Sequence, residues 1–256
     1  MSLHFVQQGQ GPLVVLSHAL GCDLQMWDGV AAALQDRYTV LRYDHRGHGQ
    51  SPATAGAFGM NDLADDAAAL IQQQAQGPVH FVGLSMGGMT AQALAVRHPA
   101  LVRSITIANS ASRYDEAARA GWQTRIDTVR AQGLEPIADG AMQRWFTPEF
   151  RADLAHGGAA RVAALRAVLV ATAPAPYAAS CEAVARIDFD ESNRRIACPT
   201  LVIGGTRDEA TPPALSEAIA NQIPGAQLRS LDAAHLSAVE QPAAFAQRLG
   251  DFLAGL

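Results

Sequence analysis

The sequence of 256 residues contains no lysine; all 19 of its basic residues are arginine. We read this mainly as biased codon usage. Its physical consequence is that any anion site must be built from guanidinium groups, backbone amides or histidine. A basic excess is lacking as well. The 24 acidic residues leave a formal net charge of −5, which argues against nucleic acid as a partner, because little is available to displace phosphate counterions. Cysteine is sparse and odd in number (Cys22, Cys181 and Cys198), with no framework spacing, so a disulfide scaffold is not expected. No apolar run approaches the roughly 18 residues that a membrane span needs. Residues 1–11 show no basic stretch ahead of an apolar one, so no secretory signal is read there and a cytoplasmic location is expected, away from any membrane. Aromatics make up only 6% of the chain, yet the hydrophobic share is 49%, carried mostly by Ala, Leu and Val. That composition is globular and supports one sizeable core.

Apolar, β-branched runs occur at 13–17, 38–43, 79–84 and 105–108, and residues 3–7 could pair as an antiparallel edge strand. Between the runs lie helix-like stretches at 63–75, closed by Gly77-Pro78, and at 86–97, stopped by Pro99. Continuously apolar strands alternating with helices predict a mostly parallel sheet covered on both faces. From about residue 112 to 188 strand signals vanish and helix-like segments follow one another, at 122–131, 136–146, 159–172 and 177–184. Strands resume at 200–203 and 227–231, and a last helix is predicted at 243–253. The organisation is an α/β core, 1–111 and 189–256, interrupted by a helical cap, 112–188. The cap holds nine Arg and nine Asp or Glu, so it is less negative than the core.

The sharpest chemical signal is Gly83-Leu84-Ser85-Met86-Gly87. It follows an apolar strand and opens a helix, the context of a nucleophile elbow. The turn is too tight for bulk beside Ser85, and it presents the hydroxyl above the carboxyl edge of the sheet, where the helix aims its free N–H groups. Such a serine needs a base, itself oriented by a carboxylate. Of eight histidines, only His235 follows the resumed strands, just past a strand end. The acid is Asp208, which follows a strand through a short Gly turn, with Glu209 and Asp232 as rivals. Two backbone N–H groups are needed for the oxyanion; Met86 supplies one and Leu20, in the loop after the strand at 13–17, the other. The loop from Asp44 to Gly49 carries two histidines, but its expected role is to buttress the rim through Asp44 and Arg46. No His/Cys cluster has zinc spacing, and neither metal nor cofactor is expected.

These elements resemble the α/β-hydrolase superfamily, and within it the 3-oxoadipate enol-lactonases. The similarity covers nearly the whole chain: His18-Ala19-Leu20-Gly21, Asp44 with Arg46-Gly47-His48-Gly49, the serine motif, Arg144-Trp145-Phe146-Thr147-Pro148, Ala210-Thr211-Pro212-Pro213, and Ala234-His235-Leu236-Ser237. The chain departs from many superfamily members in having Ala19 where they carry Gly. The resemblance implies a cap inserted after the sixth strand and a small lactone substrate bearing a carboxylate, opened through an acyl-enzyme on Ser85. Arg144 is then expected to pair with the substrate carboxylate, and Trp145 to wall the pocket. A general esterase or perhydrolase, and a ligand-binding member with little catalysis, are the alternatives.

Overall fold

The computed structural model describes residues 2–54 and 56–256. Seven strands form one sheet: β1 (Phe5–Gly9), β2 (Leu13–Ser17), β3 (Thr39–Tyr43), β4 (Val79–Leu84), β5 (Val102–Ala108), β6 (Thr200–Gly205) and β7 (Gln227–Leu231), in the order β1-β3-β2-β4-β5-β6-β7. β1 runs antiparallel to β3, as expected of the opening segment, and every other pairing is parallel. Every residue of β4 and β6 is buried, which requires cover on both faces of the sheet and explains why these strands read as unbroken apolar runs.

The helices in the first half of the chain are α1 (Asp28–Leu34), α2 (Met60–Gln74) and α3 (Met86–Arg97). Between β5 and β6 come α4 (Glu116–Gln132), α5 (Glu135–Trp145), α6 (Pro148–Ala152), α7 (Gly158–Ala171), α8 (Pro174–Ala185) and the short α9 (Asp190–Asn193). The C-terminal part adds α10 (Pro213–Gln222), α11 (Ser237–Glu240) and α12 (Pro242–Leu253). α1 packs on α12, α2 on α3 and α4 on α8. Among the described residues, no single helix is long and apolar enough to cross a membrane.

Among the described residues the helical insertion follows the fifth strand, which corrects the expected sixth. Each of the five strand-like runs that precede the insertion in the sequence forms one strand of the sheet. The two ends of the insertion meet. Arg113 and Asp188 form an isolated antiparallel bridge, and the Phe189 N–H donates to the Ser112 carbonyl at 2.8 Å.

Candidate active site

Ser85 lies between β4 and α3 with φ 57 and ψ −114, a left-handed conformation that costs a non-glycine residue energy and persists only where its surroundings fix it. They do so here. The Ser85 N–H donates to the Ala108 carbonyl at 2.9 Å, and its own carbonyl accepts from Ser110 Oγ at 2.8 Å. The glycines of the motif have a measurable reason. A Cβ on Gly83 would lie 2.0 Å from the Gly87 carbonyl oxygen, and one on Gly87 would lie 2.1 Å from the Ser17 carbonyl oxygen. Both obstacles are backbone and cannot swing aside. Gly83→Ala is therefore expected to cost about 3–5 kcal/mol, read as a large fall in the urea midpoint at unchanged slope. A midpoint within error of the wild type would remove the steric reading.

Asp208 and His235 follow β6 and β7, and both are buried. His235 Nδ1 donates to Asp208 Oδ2 at 2.9 Å. That bond places the proton on Nδ1 and leaves the Nε2 lone pair free to act as a base. Asp208 is held by four more donors. Oδ1 accepts the Ala210 and Thr211 amides, each at 2.8 Å, and Oδ2 accepts Thr211 Oγ1 at 2.7 Å and Asn109 Nδ2 at 2.9 Å. Burial pushes the Asp208 carboxyl up, but His235 and these donors outweigh it, and the group sits below the usual carboxylate range.

Ser85, His235 and Leu20 share the wall of one cavity of about 310 Å³. Ser85 and His235 do not hydrogen-bond to one another in this structure; such contacts commonly tighten only when substrate binds. Met86 is buried at the first position of α3. The Leu20 and Met86 N–H groups donate to no acceptor among the described residues. Ala19 does not adopt positive φ, so its methyl group brings no left-handed backbone strain to the loop. The loop that carries Leu20 is fastened by His18. Its Nδ1 donates to the Ala19 carbonyl at 2.8 Å, and its Nε2 accepts the His45 N–H at 2.9 Å.

The loop after β3 has the buttressing role expected of it. Asp44 accepts the Leu24 and Gln50 amides and His4 Nδ1, and Arg46 pairs with Asp66 at 2.6 Å. Of the rival acids, Asp232 contacts Thr206 at the surface and Glu209 lines the cavity without touching His235. Arg144 and Trp145 both line the cavity as expected, and the Trp145 carbonyl also accepts the Leu236 N–H at 3.0 Å. Among the described residues, no cluster of three His, Cys, Asp or Glu side chains could hold a metal ion.

Two groups of residues escape sequence reasoning. Asn109, fully buried at φ 44, donates to Asp208 and to the Ala234 carbonyl and accepts from Ser237 Oγ at 2.6 Å. It thus ties the end of β5 to both loops that carry the acid and the base. Tyr114, Trp122 and Arg125 complete the cavity wall, with the Arg125 guanidinium 5.0 Å from the centre of the Trp122 ring. A favoured residue at αL (Asn) just past an apolar strand was the only local trace of the first group; the second left none.

Comparison with known proteins agrees with this geometry. Residues 12–242 match the family model described as alpha/beta hydrolase fold. The chain is 38% identical over 247 residues to 3-oxoadipate enol-lactonase 2 of Acinetobacter baylyi, covering 96% of this chain and 90% of that protein. The crystal structure of the enol-lactonase from Burkholderia xenovorans superposes with a TM-score of 0.93 at 37% identity, covering 98% of this chain and 96% of that one. A thermophilic esterase from Thermogutta terrifontis, solved with malate bound, gives 0.91 at 30% identity, with 99% and 93% covered. The chain belongs to the α/β-hydrolase family and is a carboxylic ester hydrolase.

Proposed function

We propose that this enzyme hydrolyses 3-oxoadipate enol-lactone to 3-oxoadipate, with Ser85, His235 and Asp208 as its triad. The observation that carries the reading is a pair of guanidiniums, Arg125 and Arg144, in the same cavity as Ser85 and His235. Neither forms an ion pair with any described residue. Burial, then the positive charge of Arg125, pushes the Arg144 pKa down, so an anion between them is favoured by both. A lactone carrying a carboxylate supplies that anion, and the planar forks of arginine suit it. The enol-lactonases among the relatives and the malate-bound esterase support an acidic small-molecule substrate.

In the reaction, His235 Nε2 takes the Ser85 proton as Oγ attacks the lactone carbonyl. The Leu20 and Met86 amides take the oxyanion. The ring C–O bond breaks, and the proton on His235 passes to the departing enol oxygen, which stays tethered to the acyl chain. Water, deprotonated by His235, attacks the acyl-enzyme; His235 returns that proton to the departing Ser85 oxygen, and the freed enol tautomerises to the ketone of 3-oxoadipate. Asp208 holds the tautomer and offsets the imidazolium charge.

Arg144→Ala is expected to raise KM for the enol-lactone by roughly 10- to 100-fold while changing KM for neutral p-nitrophenyl esters little. Equal losses on both substrates would rule out the carboxylate contact. Faster turnover of short neutral esters than of the lactone by the wild-type enzyme would favour a general esterase. Failure of Ser85 to take up an organophosphate would favour a ligand-binding protein.

A further inference from the structure

A second cavity of about 730 Å³ shares Arg144 and Glu209 with the reaction cavity. Three guanidiniums line it, those of Arg144, Arg151 and Arg207. Arg207 is paired with Glu149 at 2.7 Å. Arg144 and Arg151 form no ion pair among the described residues. Arg151 also has a buried Nε without a hydrogen-bond partner among the described residues, which costs free energy. Of the carboxylates at this wall, Asp208 accepts five hydrogen bonds and Glu240 accepts Thr147 and the Ala234 amide, so neither is bonded to Arg144 or Arg151.

We propose that this second cavity is a carboxylate subsite, built around Arg151, that receives one end of a dicarboxylate. The volume falls in the range typical of small-molecule sites. The ligand class follows from chemistry. Opening a lactone that already bears one carboxylate creates a second one at the acyl carbon, so the cavity next to Ser85 suddenly holds a dianion. Arg144 stands on the wall common to both cavities and can contact a carboxylate from either. The product's identity rests on the enol-lactonase reading above; the anion site itself rests on the arginines alone.

Adipate, a stable dicarboxylate, is the probe, titrated calorimetrically into the full-length protein. The Arg125→Ala variant weakens the reaction cavity as a competing anion site. In that background adipate still binds, and adding Arg151→Gln weakens it by about tenfold or more. Arg151→Lys keeps the charge but loses the fork; it binds adipate more tightly than Arg151→Gln by about threefold or more, and it separates loss of the anion contact from loss of folding. Hexanoate, with one carboxylate, binds less tightly than adipate. The same Kd with and without Arg151→Gln, or no adipate binding at all in the Arg125→Ala protein, overturns the subsite. Lactone turnover is assayed separately on the wild type. Turnover without an Arg151 effect sinks only the subsite, and an Arg151 effect without lactone turnover sinks only the substrate assignment.

Discussion

Ser85→Ala is expected to lower kcat for ester and lactone hydrolysis on the order of a million-fold, with the fold intact. The hydroxyl is the only nucleophile that the elbow presents to the cavity, and the alanine methyl group fits the same strained backbone. Removing His235 should cost nearly as much. The double variant should be no slower than either single one, because base and nucleophile act as one unit. Asp208→Asn should cost about 10⁴-fold, since an amide can donate to Nδ1 and impose the wrong tautomer. Stopped-flow and steady-state rates on the three single variants and the Ser85/His235 double variant test this. Losses that multiplied in the double variant would mean that the two side chains act independently, and the proton transfer between them would have to be abandoned.

The second large effect concerns acid. His18, His45 and His48 are buried together around the loop that carries Leu20. Burial lowers all three pKa values, that of His48 to about 3, and repulsion from His18 adds to the effect for His45 and His48. An unfolded chain protonates its histidines near pH 6.5. The unfolded state therefore binds more protons below that pH. Stability is fully present above pH 6.5 and declines as pH falls toward the folded-state values. At pH 5 His48 alone withdraws about 2 kcal/mol, a large share of the stability of a typical domain, and His18 and His45 act in the same direction. His80, lowered first by burial and then by Arg103, acts in the same direction. Asp208, depressed in the folded state, adds a further loss only below about pH 4. Urea unfolding measured from pH 7.5 to 5 should show stability falling with a slope of more than one proton, and His48→Gln should remove about one proton from it. A flat profile between pH 6.5 and 5 would mean that these histidines are protonated in the folded protein.

What the sequence discloses, and what it hides, follows from how far each constraint reaches along the chain. Gly83 and Gly87 are obligatory because of backbone a few residues away or on the adjoining strand, so a five-residue motif exposes them. Asp208 sits just past the buried strand β6 and His235 just past β7, and the order of strands points to them. Asn109 is different. Its partners Asp208 and Ala234 lie 99 and 125 residues away, and its role exists only once three strand ends are side by side. Arg125 and Arg144 are two of nine arginines in the insertion. Nothing local distinguishes a guanidinium that faces a cavity from one that faces solvent, and the family-like neighbourhood of Arg144 drew attention away from its partner. The insertion follows five strands, one for each strand-like run in the sequence ahead of it; the expectation of a sixth comes from the resemblance and not from those runs.

The two ends of the insertion are pinned together at a single bridge outside the sheet, where Arg113 faces Asp188. Its end-to-end span is thus set by that bridge and not by the helices it contains. Lengthening, shortening or exchanging the helices between those two residues alters the chamber over Ser85 without shifting the strands that aim the reacting groups. Chain closure at such a pinned junction becomes only slightly harder as the enclosed segment grows. Novelty in substrate choice can accumulate in one part of the gene while the machinery that breaks the bond stays as it was.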